Sequence, residues 1–141
     1  MGLDRFSGGA TAVLIIEDDD NTQELLSRML EAMGTTTVAV AREGGEGLRI
    51  ACETRPHVVI CDIEMQPVDG LSFLAGLRAS MDAKVAAIPV VMFTSHRNSE
   101  IAAKADRLGV TGYLRKPFNP AGFASYLVDV VERYRPKPPA K

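Results

Sequence analysis

The chain has 141 residues, 46% of them hydrophobic and 24% charged, with a net charge of −2. That length suits one domain with a single core, and that balance is ordinary for a globular protein. With no basic footprint for nucleic acid and no apolar run near the ~20 residues that span a bilayer, neither nucleic acid nor membrane is expected as a direct partner. The two cysteines, Cys52 and Cys61, have no histidine cluster near them to make a zinc site. They read as small buried hydrophobes in a reducing cytosol, which points to a cytoplasmic protein.

Residues 1–11, with Ser7, Gly8 and Gly9, read as a flexible lead-in. Residues 12–16 form the first buried strand, which runs into Glu17-Asp18-Asp19-Asp20. A helix follows, with Asp20 as cap, Gln23 as its reciprocal partner, and a stripe of Leu25, Leu26, Met29, Leu30 and Met33. Gly34 stops it. Residues 36–41 are short and β-branched, as an edge strand is. Residues 43–53 form a second helix with Leu48, Ala51 and Cys52 inward, although Gly44, Gly45 and Gly47 each weaken it.

Pro56 opens the central strand, whose continuous apolar run Val58-Val59-Ile60-Cys61 ends at Asp62. Such runs, bounded by turn residues, mark strands buried on both faces. Residues 70–81 form a third helix, capped by Asp69 and striped by Leu71, Leu74, Leu77 and Met81; residues 82–87 read as a loop. Residues 89–93 are another apolar strand and end at Thr94-Ser95. Asn98 caps a fourth helix with Ile101, Ala102, Ala105 and Leu108 inward, and Gly109 stops it. Residues 110–115 are the fifth strand, ending at Lys116-Pro117. Asn119-Pro120 starts the last helix, with Phe123, Tyr126, Leu127, Val130, Val131 and Tyr134 on one stripe. Residues 135–141 form a Pro-rich tail or linker stub.

Five strand–helix units with continuous apolar strands predict an α/β fold of three layers, a doubly wound, flavodoxin-like (βα)5 unit. Its five-stranded parallel sheet should have the order 2-1-3-4-5, with the site at the carboxyl ends of the strands where the order reverses. Glu17 and Asp18, Asp62, Thr94 and Lys116 all fall at such ends. Three carboxylates in one pocket repel one another unless a cation neutralises them. An all-oxygen donor set favours Mg²⁺, with Mn²⁺ as the alternative, over zinc. An aspartate beside such an ion, with a lysine and a hydroxyl opposite, is equipped for phosphoryl transfer to its own carboxylate. No glycine loop of the nucleotide-binding kind is present, so the donor should be another phosphorylated molecule.

This constellation resembles the receiver domain of bacterial two-component response regulators, of the chemotaxis-regulator kind. The matching stretches are Leu14 to Asp19, Asp62 to Met65 with Asp69-Gly70, Pro89 to Ser95, and Gly112 to Phe118. The resemblance spans residues 12–134 as the receiver domain. It implies that Asp62 is the phospho-acceptor, that Glu17 and Asp18 bind the metal with Asp18 the more direct ligand, and that Glu64 adds a backbone carbonyl. It implies that Thr94 and Lys116 contact the phosphoryl group, that Tyr113 follows Thr94 as a switch, and that Lys116-Pro117 is cis. Glu64 and His96 hold the positions that tune dephosphorylation. The implied partners are a histidine kinase or histidine phosphotransfer protein as donor, and a protein target on the face of the fourth helix, fifth strand and fifth helix. A phosphorylation-dependent dimer is also within that family's range. Such a protein catalyses its own phosphorylation and dephosphorylation and is not a conventional turnover enzyme. Two positions depart from the pattern: Glu17 replaces the commoner Asp, and Gln66-Pro67 places proline one residue later than usual.

Three other readings compete. A haloacid-dehalogenase-like phosphatase wants a second Asp where Glu64 stands. A flavodoxin-like FMN carrier wants Ser, Thr and Gly where Glu17 to Asp20 stand. A receiver fold used only as a scaffold would not need the complete acidic, Thr and Lys set. The composition leaves open whether the chain acts alone or belongs to a longer protein.

Overall fold

A computed structural model of the chain describes residues 11–35, 37–95, 99–116 and 119–134. The proposed lead-in, the Asn98 cap, His96, the Lys116-Pro117 bond and the tail fall wholly or partly outside these residues. The described chain alternates β1 (Ala12–Ile16), α1 (Asp20–Ala32), β2 (Thr37–Ala41), α2 (Gly44–Thr54), β3 (Val58–Asp62), α3 (Gly70–Arg78), α4 (Ala83–Ala86), β4 (Val90–Thr94), α5 (Ser99–Arg107), β5 (Gly112–Arg115) and α6 (Pro120–Tyr134). All strand pairs are parallel, in the order β2-β1-β3-β4-β5. This is the predicted doubly wound order, with β2 at an edge and the reversal between β1 and β3. None of the described helices is long and apolar enough to cross a membrane.

The side-chain alternation of the strands divides the core in two. Val13, Ile15, Val58, Ile60, Val91 and Phe93 face α1 and α6, where they meet Leu26, Leu30, Phe123 and Leu127. Leu14, Ile16, Val59, Cys61, Val90 and Met92 face the other way, against Ala51, Phe73, Leu74, Leu77 and Ala105. Strands apolar on both faces are what a sheet covered on both sides requires.

Several local expectations need correction. The α1 cap is Asp19, whose carboxylate accepts from the Thr22 backbone N–H at 2.9 Å; Asp20 is already helical. Gln23 instead donates its side-chain amide to the Glu17 carbonyl. Leu25 lies off the buried stripe and is half exposed. Cys52 is exposed, and only Cys61 is a core residue. The third helix stops at Arg78, so Met81 is fully exposed rather than inward. The segment read as a loop contains the helical turn α4, capped by the Asp82 carboxylate.

The glycines that weaken α2 serve close approach instead. A Cβ on Gly47 would stand 2.3 Å from Ile16 Cδ1, and one on Gly44 would stand 2.8 Å from the Asp69 carbonyl. Gly70 matters most for the site, because a Cβ there would lie 2.3 Å from the Asp62 carbonyl oxygen. Asp69 caps α3 as expected, accepting from Ser72 N–H at 2.8 Å. His57 is structural: its Nδ1 accepts from the Ala12 N–H at 2.9 Å, tying β3 to β1.

Gly70→Ala should destabilise the fold by about 2 kcal/mol, since the clash is with backbone that carries Asp62. Gly122→Ala, where the nearest neighbour is 3.8 Å away, should stabilise it by about 0.5 kcal/mol through reduced unfolded-state freedom. Urea unfolding of the two variants measures both signs.

Candidate functional site

The sheet brings four strand ends to one edge. Glu17 follows β1 directly, Asp62 closes β3, Thr94 closes β4 and Lys116 follows β5. Glu17, Asp62 and Thr94 are all buried, at 1%, 6% and 2% exposure. Asp18 is exposed at the mouth. Glu17, Asp18 and Asp62 can each direct one carboxylate oxygen so that the three lie within 4.8 Å of one another.

Lys116 spans the two buried acids. Its Nζ is 3.3 Å from Glu17 Oε1 and 3.8 Å from Asp62 Oδ2. The ammonium also lies 4.9 Å from the centre of the Phe93 ring, within cation–π range. Its backbone N–H is held by the Thr94 carbonyl at 2.9 Å. The lysine therefore has its main chain and its head fixed from neighbouring groups.

Charge in this pocket is not balanced. Burial pushes the Glu17 carboxyl up to about 8, the nearby Asp62 carboxylate adds to the shift, and Lys116 offsets part of it. Glu17 Oε2 is buried with no hydrogen-bond donor among the described residues. An orphaned carboxylate oxygen, two further acids within reach and no His or Cys in the cluster make a donor set that suits a hard divalent cation.

Thr94 belongs to the opposite side of the sheet. It is in phase with Val90 and Met92, whereas Asp62 is in phase with Val58 and Ile60. The Thr94 hydroxyl donates to Glu64 Oε1 at 3.2 Å. Glu64 in turn directs its backbone N–H to Asp62 Oδ1 at 3.4 Å. Tyr113 packs on the Thr94 side of the sheet, partly buried, and its hydroxyl is buried with no hydrogen-bond partner among the described residues. Burial raises its phenol above the ordinary range.

The structure thus unites Glu17, Asp18, Asp62 and Lys116 in one pocket, and links Thr94 to that pocket through Glu64. Tyr113 lies one strand over, on the far face. His96 lies outside the described residues. The peptide bond between Gln66 and Pro67 is cis, on the loop that departs from the expected pattern.

Supporting residues escaped the sequence reading. Arg42, at the end of β2, donates to the Asp18 carbonyl at 2.9 Å and to Asp20 at 2.6 Å. With the Gln23 contact on the Glu17 carbonyl, it holds the acidic turn from outside. An arginine one residue beyond an edge strand next to four acids was the available signal. Phe93 looked like plain core, and its place beneath the lysine follows only from the pairing of β4 with β5.

Comparison with known proteins agrees with this fold. A family model described as the response regulator receiver domain matches residues 13–127. A Rhizobium etli protein named "Probable chemotaxis protein CheY" is 33% identical over 106 residues, covering 75% of this chain and 81% of that one. The transcriptional regulatory protein PrrA of Mycobacterium leprae is 37% identical over 106 residues, 75% of this chain but only 43% of PrrA. Among solved structures, the chemotaxis protein CheY4 of Vibrio cholerae superposes with a TM-score of 0.79 at 30% identity, covering 86% of this chain and 99% of that one. With its strand order, its acidic edge and these likenesses, the chain belongs to the response regulator receiver domain family.

Proposed function

We propose that this receiver takes a phosphoryl group onto Asp62 from a histidine kinase or histidine phosphotransfer protein in the cytoplasm, and signals by protein contact. The observation that supports it best is the lysine held between two buried carboxylates, 3.3 Å from Glu17 and 3.8 Å from Asp62. Glu17, Asp18 and Asp62, with the Glu64 backbone carbonyl, would hold Mg²⁺ or Mn²⁺, which when bound supplies positive charge against the acids and the phosphoryl oxygens.

The chain's own residues do the rest. An Asp62 Oδ attacks phosphorus and an O–P bond forms. The N–P bond of the donor phosphohistidine breaks, and its electron pair stays on the imidazole nitrogen, which is left neutral or takes a proton from solvent. The product is an aspartyl phosphate. Lys116 meets the equatorial oxygens in the transition state and the product. The Thr94 hydroxyl turns to a phosphoryl oxygen, and Tyr113 moves into the space it leaves. That reshapes the face of α5, β5 and α6, where a protein target docks or a second phosphorylated copy pairs. Glu64, at the rim, flanks the path of the water that later removes the group; His96 is the second residue assigned to that tuning. The residues 12–134 form the receiver unit.

Acetyl phosphate with Mg²⁺ should add one phosphoryl mass to the intact protein, and neither Asp62→Asn nor chelated wild type should gain it. Lys116→Ala should slow the gain about 10- to 100-fold while leaving it Mg²⁺-dependent. An adduct that survives Asp62→Asn would refute the assignment.

The raised Glu17 carboxyl gives a pH signature in chelator. Between its ordinary 4.5 and about 8, the folded chain binds a proton that the unfolded chain has released. Its contribution to stability is therefore full below 4.5 and is lost as pH rises through 8. Metal-free wild type should lose stability across that window more steeply than Glu17→Gln, by thermal or urea unfolding. The thermal shift produced by Mg²⁺ should be larger at pH 8.5 than at pH 6, where the ion must displace that proton.

A further inference from the structure

The hydroxyl that a receiver site needs for its phosphoryl group is already engaged. Thr94 is 2% exposed, and its Oγ1 points to Glu64 Oε1 at 3.2 Å. A threonine hydroxyl has one proton to donate. While it donates to Glu64 it cannot donate to an oxygen on Asp62. The acceptor is an ionised side chain at the exposed rim, and a hydrogen bond to a charged acceptor is stronger than a neutral one. Glu64 also sits two residues from Asp62, with its backbone N–H directed to Asp62 Oδ1 at 3.4 Å. Its carboxylate and the acceptor aspartate therefore share one tight turn.

We propose that Glu64 acts as a latch on the unphosphorylated state, holding Thr94 away from Asp62 until a phosphoryl group outcompetes it. This rests on Asp62 as the acceptor. Two forces open the latch together. A phosphoryl group brings nearly two negative charges into the turn and repels the Glu64 carboxylate. Its oxygens are also better acceptors for the Thr94 proton than a solvated carboxylate is. The latch lies where it can be read: Thr94 is in phase with Met92, and Met92 is the β4 residue paired with Tyr113. Tyr113 feels the Glu64 charge as well, since it contributes to raising the Tyr113 phenol after burial. Release of Thr94 from Glu64 thus changes the surroundings of Tyr113 from two directions.

Glu64 is a positioning residue in this scheme, because it acts through Thr94 rather than on phosphorus. The charge and the hydrogen bond can be separated by substitution. Glu64→Gln removes the charge but keeps a carbonyl acceptor for the hydroxyl. Glu64→Ala removes both. Neither should disturb folding, because Glu64 is exposed.

The test uses the full chain with Mg²⁺ and beryllofluoride, a phosphoryl mimic, and follows the resonance of fluorotyrosine at Tyr113. Wild type should bind the mimic, and Asp62→Asn should not. Glu64→Ala should bind it about 5- to 10-fold more tightly, Glu64→Gln should fall between that and wild type, and the free Glu64→Ala protein should show the Tyr113 resonance moved toward its bound position. In a Thr94→Val background the gain from Glu64→Ala should shrink to less than twofold, because the partner hydroxyl is gone. Equal affinities for wild type and Glu64→Ala would overturn the latch. So would a gain that persists undiminished with Thr94→Val, which would mean plain charge repulsion. A wild type that binds no mimic, like Asp62→Asn, would instead overturn the assignment of Asp62 on which the latch depends.

Discussion

Two carboxylates that the fold buries side by side set the terms for everything around them. Glu17 and Asp62 end up adjacent because β1 and β3 are hydrogen-bonded neighbours and both strands run out at the same edge. Burial without full compensation is costly for a charge. The structure answers with one lysine between the acids, a carboxyl that holds its proton to about pH 8, and a buried carboxylate oxygen with no hydrogen-bond partner among the described residues. The surrounding contacts keep this arrangement from relaxing. Arg42 and Gln23 grip the backbone of the acidic turn, and Gly70 lets α3 begin hard against the Asp62 carbonyl. Functional sites concentrate such unresolved interactions because the remainder of the fold can hold them in place.

Most of the fold was legible because buried parallel strands carry a signal of their own. Val58 to Cys61 and Val90 to Phe93 are apolar at every position, and only a sheet covered on both faces uses such runs. The site was legible for the same reason. A polar residue at the end of such a run stands out, and the doubly wound order says which ends meet. What could not be read depended on distance rather than pattern. Three consecutive aspartates offer three equivalent caps, and only the path of the backbone selects Asp19. The glycines of α2 look like helix breakers until Ile16 and Val68 are seen to press against them. Cys52 and Met81 fit a helical stripe in sequence, yet one is exposed and the other lies past the last turn of α3. The bond from Thr94 to Glu64 runs from the end of β4 to the loop after β3, and no spacing rule reaches across 30 residues of chain.

The pleat divides the labour of the sheet. Asp62 is in phase with the residues that face α1 and α6, and Thr94 and Tyr113 lie toward the face that packs α3 and α5. The two sides meet at the carboxyl edge, where Glu64 and Lys116 sit. The opposite end is tied down. The guanidinium of Arg78, on α3, donates to the carbonyls of Ala86, Ile88 and Gly109 at 2.6–2.9 Å. These bonds pin α4, the start of β4 and the turn after α5 to one point. The end of α5 and β4 nearest the site carries none of these Arg78 bonds, and it is there that the proposed function places rearrangement.

Glu17 adds a final element, because it is one methylene longer than aspartate. In the absence of a cation its carboxyl group lies closer to Lys116 than that of Asp62 does, 3.3 Å against 3.8 Å, and above about pH 8 it is charged. At comparable depth the nearer charge has the stronger hold on the ammonium. Under the proposed function, a lysine committed to Glu17 is less available to charge developing on Asp62. Neutralising Glu17, by a proton or by a cation, weakens that hold and leaves the lysine to Asp62. The two treatments are not equivalent, however. A proton on Glu17 would remove a ligand from the proposed metal set, whereas a cation would draw on all three acids. Only the second would both free Lys116 and add positive charge beside Asp62, so under the proposed function the longer arm makes the readiness of the site depend on the ion more than a shorter acid at position 17 would.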